Sequence, residues 1–138
     1  MDLHQLSDRA EITDVITRYA RAIDTGDWDG LDEVFTPDAR IDYTSAGGTA
    51  GGFAEMKQWL AEVLPGFPRR QHVIGQLDIG LDGDRARVTA YFVNPMVTLA
   101  ADGTEGLYRC GGYYHHQMVR TADGWRSREL VEETVWTA

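Results

Sequence analysis

The sequence from residue 6 to residue 24 reads LSDRAEITDVITRYARAID. Its apolar side chains recur every three or four residues, which is the spacing of one face of an α-helix. They are Ile12, Val15, Ile16, Tyr19 and Ile23. Charged side chains such as Asp8 and Glu11 fill the opposite side. We therefore predict an amphipathic helix over Leu6–Asp24 whose apolar face covers another layer of the protein, with its charged side in water.

Two more helices and a short strand are predicted in the next forty residues. Asp27 is a suitable N-cap for a second helix that carries Trp28, Leu31, Val34 and Phe35 and that Pro37 ends. Alternation predicts a short strand over Ala39–Tyr43, followed by a glycine-rich loop at 45–52. A third helix is predicted over Phe53–Leu64, before Pro65.

The second half of the chain changes to strands. Four segments rich in valine and tyrosine follow one another, and Asp-Gly pairs at 82–83, 102–103 and 123–124 indicate hairpin turns. The segments are Arg70–Leu81, Arg85–Leu99, Leu107–Arg120 and Gly124–Trp136. This order predicts the α+β class, with a cone-shaped, curved antiparallel sheet packed against three N-terminal helices. The interior of such a cone is a site for a small ligand.

Composition limits the classes of partner. The chain has 138 residues and 43% hydrophobic residues, which predicts one domain over residues 1–138. Its 13 basic and 22 acidic residues argue against nucleic acid and against an anionic membrane. A lone cysteine, Cys110, and a start without an apolar signal core predict a cytoplasmic protein. No apolar run approaches the length of a membrane span.

Alternation predicts which strand residues face the interior. Ala86, Val88, Ala90 and Phe92 form an apolar row that continues to Asn94 and Met96. In the next strand, Tyr113 and His115 share one face, and we expect it to be the interior one. The other face carries Tyr114, His116 and Met118, and together with Tyr91 and Val93 these form the expected outer surface. Because adjacent strand residues point apart, His115 and His116 do not predict a metal site.

Three residues form a candidate site. Asp24 ends the first helix, where the helix dipole disfavours a carboxylate without a partner. His72 begins the first long strand, and a carboxylate that fixes one imidazole nitrogen leaves the other free for general acid–base catalysis. Tyr43 shares a face with Ile41 and is placed to offer its hydroxyl to a carbonyl. Each residue also has a structural alternative: a helix-end turn, a strand-edge histidine and a core aromatic.

A resemblance extends over nearly the whole chain. The stretches AEITDVITRYARAID (10–24), WDGLDEVFTPDA (28–39) and DGWR (123–126) resemble the SnoaL-like branch of the nuclear-transport-factor-2-like superfamily. The chain is similar within it to scytalone dehydratase, bile-acid 7α-dehydratase and hexachlorocyclohexane dehydrochlorinase. The resemblance implies that Asp24 and His72 are the catalytic aspartate and histidine, and that Tyr43 polarises a carbonyl as in the two dehydratases.

Several positions depart from those relatives. The dehydrochlorinase has a lysine where this chain has Tyr19, so stabilisation of a departing chloride is not implied. Scytalone dehydratase has a second histidine whose counterpart here is Asn94, which forms hydrogen bonds but does not shuttle protons. His115 is the alternative second histidine, or a core residue. Glu132 is a candidate for the acidic pocket residue of the polyketide cyclases, or a solvated glutamate at the rim.

Two functions follow from these residues. The first is a cofactor-free lyase or isomerase of the dehydratase or cyclase type, which transfers protons on a small, hydrophobic, carbonyl-bearing ring. Tyr19, Phe92, Asn94, His115 and Glu132 would contact the substrate. Phe92, Met96, Tyr113, Leu130 and Trp59 would form the apolar wall. The second is a non-catalytic ligand-binding or dimerisation module. A homodimer through the outer sheet face fits both.

Overall fold

The computed structural model describes residues 1–138. It contains two α-helices, seven strands and three short 3₁₀ turns. The helices are α1 (Leu3–Thr25) and α2 (Phe53–Val63). The strands are β1 (Phe35–Asp42), β2 (Ala50–Gly52), β3 (Arg69–Arg70), β4 (Val73–Asp82), β5 (Arg85–Leu99), β6 (Glu105–Thr121) and β7 (Gly124–Thr137). The 3₁₀ turns are Trp28–Glu33, Thr44–Ala46 and Leu64–Gly66. The predicted α+β class, with helices preceding a long sheet, is confirmed.

Helix α1 is longer than predicted at its start. Asp2 accepts a hydrogen bond from the backbone N–H of Gln5, and the Gln5 side chain accepts one from the backbone of Asp2, which forms a capping box. The helix stops at Gly26, whose φ of 72° is the left-handed conformation that glycine adopts readily at a helix end. All five predicted apolar positions of this helix are buried.

The prediction of a second α-helix ended by Pro37 is wrong. Asp27 does cap a turn, since its carboxylate accepts the Gly30 N–H at 3.1 Å, but the turn is a six-residue 3₁₀ helix. Phe35 begins strand β1, and Pro37 lies inside that strand. The register between β1 and β7 shifts between Phe35 and Arg40, and an irregular stretch of strand tolerates a residue without an N–H.

The sheet is curved and stays open, with the order β2-β1-β7-β6-β5-β3, and β4 also pairs with β5. Neighbouring strands are antiparallel except β1 and β7, which are parallel. Strand β2 lies within the stretch 45–52 that the sequence predicts to be loop. Its three residues pair with Arg40, Ile41 and Asp42 of β1. Neither helix combines the length and hydrophobicity that crossing a membrane requires.

The predicted faces of β6 are wrong. Ala90 lies opposite Tyr114, and Val88 lies opposite His116. Directly opposed residues of an antiparallel pair share a face, so Tyr114, His116 and Met118 point inward with the apolar row of β5. All three are at most 2% exposed. Tyr113 and His115 consequently belong to the outer face, where His115 contacts Thr89 at 3.1 Å and Glu133 at 3.1 Å.

The predicted strand Arg70–Leu81 is interrupted at 71–72. β3 and β4 keep one register against β5, with Arg70 opposite Met96 and Val73 opposite Val93. Pro95 lies within the β5 stretch opposite this gap and has no N–H to donate, although its carbonyl accepts the N–H of Gln71 at 3.1 Å. The backbone N–H of His72 is therefore available to a partner outside the sheet.

Candidate active site

The end of α1 supplies that partner. The Asp24 carboxylate accepts the backbone N–H of His72 with its two oxygens at 2.9 and 3.1 Å. Its Oδ1 also lies 2.7 Å from Nδ1 of the His72 ring. One carboxylate thus fixes both the main chain and the side chain of His72, and the helix-end carboxylate has the donors that the sequence analysis expected it to need.

The imidazole of His72 is held in one orientation. Its side chain is 6% exposed, and that of Asp24 is 20% exposed. Because a carboxylate accepts hydrogen bonds, Nδ1 carries the hydrogen in the neutral ring, and Nε2 keeps its lone pair. Nε2 has no partner within the chain, and His72 lines the main cavity. A ring nitrogen with a free lone pair is able to accept a proton or a hydrogen bond.

The cavity lies between the two helices and the inner face of the sheet. Its volume is about 400 Å³, and 13 of its 19 lining residues are hydrophobic. Trp59 and Met96, which the sequence placed in an apolar wall, are among them. No lysine or arginine lines it. A cavity of this size and lining suits a small, mostly apolar molecule.

Two tyrosines form a pair beside the cavity. The hydroxyls of Tyr19 and Tyr43 are 2.6 Å apart, and both residues line the cavity. Burial raises the pKa of each phenol, so both stay protonated at neutral pH. Since each hydroxyl has one hydrogen, donation from Tyr19 to Tyr43 frees the Tyr43 hydrogen for a ligand. Trp59 stacks against Tyr43 with 5.9 Å between the ring centroids.

Asn94 and Cys110 lie opposite each other on β5 and β6 and both line the cavity. Asn94 is 6% exposed, and its Oδ1 is buried without a hydrogen-bond partner. Burial raises the pKa of the Cys110 thiol, so it stays protonated at neutral pH and is a poor nucleophile. The Asn94 oxygen is therefore enclosed by the protein rather than exposed at the cavity surface.

Glu132 on β7 is 8% exposed and lines the same cavity. The hydroxyl of Thr134 donates to its Oε1 at 2.8 Å, and its Oε2 has no partner within the chain. Burial raises the pKa of this carboxyl, and the Thr134 hydrogen bond partly offsets the effect. The sequence allows this glutamate to lie either in the pocket or at a solvated rim, and in the structure it lies in the pocket.

Other predicted contact residues lie outside the cavity. The placement of His115 on the pocket face is wrong, because its partner across the sheet, Thr89, faces outward. Tyr113 points outward for the same reason. Phe92 faces inward, but its ring stacks on Tyr114 with centroids 4.1 Å apart and does not line the cavity. Leu130 is fully buried opposite His116 in the core.

Several lining residues are not predicted by the sequence pattern. Tyr114 lines the cavity although the pattern predicts the outer face for it, and Tyr108 and Cys110 line the cavity without having been predicted there. Tyr108 pairs with Met96, and Cys110 pairs with Asn94. The correct hairpin register, applied to the inward row that ends in Asn94 and Met96, is the sequence signal that would have identified them.

Comparison with known sequences assigns a family. Residues 4–131 match the SnoaL-like domain family. An uncharacterized protein of Mycobacterium tuberculosis strain H37Rv, Rv2910c, is 43% identical over 132 residues, which cover 96% of this chain and 88% of the relative. The match therefore extends over nearly all of both sequences.

Solved structures share the fold at lower identity. A hexachlorocyclohexane dehydrochlorinase (LinA, type 2) superposes with a TM-score of 0.85 at 18% identity, covering 100% of this chain and 92% of that one. A nuclear-transport-factor-2-like superfamily protein from Salmonella enterica serovar Typhimurium has a TM-score of 0.80 at 17% identity, covering 94% and 92%. The predicted resemblance to this superfamily is confirmed.

Proposed function

Because the chain belongs to the SnoaL-like domain family, whose fold it shares with a dehydrochlorinase, we propose that it is a lyase or isomerase that removes a proton next to a carbonyl group. The observation that carries the proposal is the 2.7 Å contact between Asp24 and the His72 ring at the wall of an apolar cavity. The substrate class is a small, mostly apolar ring that carries a carbonyl.

His72 is the base in this proposal. Its Nε2 takes the proton from the carbon α to the carbonyl, and the electron pair of that C–H bond moves into an enolate. Asp24 then faces an imidazolium and stabilises its charge. His72 returns the proton to another carbon in an isomerisation. In a dehydration it gives the proton to a hydroxyl, which leaves as water while a C=C bond forms. In a cyclisation the enolate carbon attacks a second carbonyl, whose oxygen takes the proton.

Tyr43 stabilises the enolate oxygen in the same scheme. Its hydroxyl is buried and stays protonated, so it donates a hydrogen bond to a developing negative charge without a proton having to leave it. Tyr19 acts through Tyr43, because its own hydroxyl is 2.6 Å from that of Tyr43 and orients it. Tyr43 is therefore a proposed catalytic residue and Tyr19 a positioning residue.

A direct test of the shared first step uses 1-tetralone, a neutral bicyclic ketone. In D₂O, an enzyme that removes and returns the α proton replaces the hydrogens at carbon 2 with deuterium, and proton NMR measures the rate. We expect the wild-type protein to accelerate this uptake well above the buffer rate. Binding of 1-tetralone without any acceleration would instead support the non-catalytic ligand-binding alternative.

The tyrosine pair predicts two graded effects on this uptake. We expect Tyr43→Phe to lower the rate by about 10²-fold, the usual effect of removing one donor to an oxyanion. Tyr19→Phe should lower it by about tenfold, because the Tyr43 donor remains but is less well oriented. Equal losses in both variants would contradict the assigned roles. Tyr108→Phe, which removes another cavity hydroxyl, is the matched control and should keep most of the rate.

We also propose a homodimer formed through the outer face of the sheet. A shallow groove of about 270 Å³ crosses this face. Its apolar rim is between 41% and 56% exposed. These residues are Val73, Tyr91, Val93, Val135 and Trp136. Such an aromatic surface on one side of an antiparallel sheet fits a second copy of itself, in which the same residues meet across a twofold axis.

The proposed dimer predicts that a substitution in the outer face lowers the mass of the particle in solution. We expect wild type to sediment at about twice the 15.4 kDa chain mass and Val93→Glu to weaken association by about 10²-fold, because the twofold axis buries two unpaired carboxylates. Analytical ultracentrifugation measures both. Leu3→Glu, at an exposed position on α1, is the matched control and should stay dimeric. A wild-type monomer at 100 µM would refute the proposal.

A further inference from the structure

The wall of the cavity formed by β7 offers an acceptor that nothing in the chain satisfies. Glu132 is 8% exposed, and its Oε2 accepts no hydrogen bond from the chain. Buried polar groups are nearly always paired, so this unpaired carboxylate oxygen indicates a ligand that supplies a donor. Glu132 lines this cavity.

The charged side chains around the cavity indicate which kind of donor group the ligand carries. No lysine or arginine lines the cavity, and the nearby Arg70 is occupied elsewhere. Its guanidinium donates to the carbonyls of Ile23, Leu64 and Phe67 and lies 5.6 Å from the centre of the Trp28 ring. The Glu132 carboxyl is thus buried without a basic partner, which is an unfavourable arrangement that a cation would relieve.

The remaining lining favours an organic cation over a metal ion. Aromatic rings surround the cavity, including Tyr108, Tyr114, Trp59 and Phe67. Aromatic faces attract ammonium groups, whereas hard metal ions require several oxygen ligands. The net charge of −9 also favours the entry of cations over that of anions.

We infer that the cavity is selective for a ring compound that carries a protonated amine, and that Glu132 is the residue that binds the ammonium group. The inference rests on the proposed function only in taking this cavity as the substrate site. It goes further in assigning the charge of the ligand and the residue that recognises it. A ligand with a carboxylate or phosphate group would meet no lysine or arginine side chain here.

Three probes with one skeleton test the assignment: 2-aminotetralin, 1-tetralone and tetralin-2-carboxylate, which are a cation, a neutral ketone and an anion at pH 7. Calorimetry gives their affinities for the full chain. We expect the amine to bind wild type at least about tenfold more tightly than the ketone, since hydrogen bonds between charged groups are the strong ones. The carboxylate should bind most weakly.

The Glu132→Gln variant keeps the shape of the side chain and removes its charge. We expect it to lose the preference for the amine while its affinity for 1-tetralone changes less than about threefold. If wild type binds the amine no better than the ketone, the inference is wrong, whether or not the variant folds. If Glu132→Gln instead lowers the affinities for the ketone and the amine equally, Glu132 is a general hydrogen-bonding group and the inference is also wrong.

The test of the amine preference and the test of the proposed function can fail independently. Deuterium uptake into 1-tetralone reports on His72, and the amine preference reports on Glu132. A protein that prefers the amine but shows no uptake would retain the cation site and lose the proposed catalysis. A protein that shows deuterium uptake but does not prefer the amine would support the proposed catalysis and contradict the cation site.

Discussion

We expect His72→Gln to lower the rate of deuterium uptake into 1-tetralone by about 10³-fold, within the range that general base catalysis contributes. Glutamine keeps a polar side chain of similar reach but has no basic nitrogen. Asp24→Asn should cost about 10² to 10³-fold for a different reason. Its amide oxygen can still accept the His72 backbone N–H, but its NH₂ group then faces Nδ1, and the imidazole must place its hydrogen on Nε2.

Two controls distinguish this loss from a structural one. His115→Gln changes a histidine on the outer face, where its contacts are Thr89 and Glu133, and should keep the wild-type rate. The affinity of His72→Gln for 1-tetralone should stay within a few-fold of wild type, because the apolar lining is intact. A wild-type rate in His72→Gln, or an equal loss in His115→Gln, would exclude the proposed dyad.

The helices and the placement of Asp24 and His72 illustrate what the sequence contains. The 3.6-residue spacing of α1 and the resemblance of its final residues to known enzymes bring Asp24 to the end of a helix, and His72 begins the strands that follow. The structure puts the two 2.7 Å apart. Local periodicity and family resemblance are thus enough to predict where Asp24 and His72 lie in the fold, because each residue lies at the end of a regular element.

The error in the faces of β6 has one physical source. A two-residue turn at Asp102-Gly103 would place Ala90 opposite His115. In the structure the loop has three residues, since the N–H of Ala100 donates to the carbonyl of Thr104 at 2.8 Å, and Ala90 lies opposite Tyr114. One residue of register reverses every side chain of a strand. Asp-Gly pairs locate a hairpin but do not fix its loop length.

Asp8 shows a second limit of sequence periodicity. Its position on α1 predicts a solvated carboxylate, yet the residue is 6% exposed. Its Oδ1 accepts from Nη1 of Arg120 at 2.7 Å and from Nε1 of Trp125 at 3.0 Å, and its Oδ2 accepts from Nη2 of Arg120 at 2.9 Å. These partners are more than 110 residues away in sequence, so the spacing within the helix contains no information about them.

We expect Asp8→Ala to lower the free energy of unfolding by about 3 kcal/mol, because it leaves Nη1 and Nη2 of Arg120 and Nε1 of Trp125 without their acceptor. Urea unfolding at pH 7 measures the change. Asp84→Ala removes the other acceptor of Arg120. Because the Asp84 side chain is 82% exposed, this substitution should lower the free energy of unfolding by less than about 1 kcal/mol. A double-mutant cycle with Arg120→Ala isolates the pair, and a coupling near zero would contradict the assignment.

The same contact predicts how stability depends on pH. The hydrogen bonds from Arg120, with a smaller contribution from Trp125, lower the pKa of Asp8 to about 2, against an ordinary value of 3.8. A folded-state pKa below the unfolded one stabilises the protein above the unfolded value and loses that contribution as the pH falls. The contribution of this carboxylate, about 2 kcal/mol, is therefore complete above about pH 5 and declines towards pH 2. Between those limits wild type should lose stability more steeply than Asp8→Ala, and parallel curves would show that the carboxylate is not bound as the structure has it.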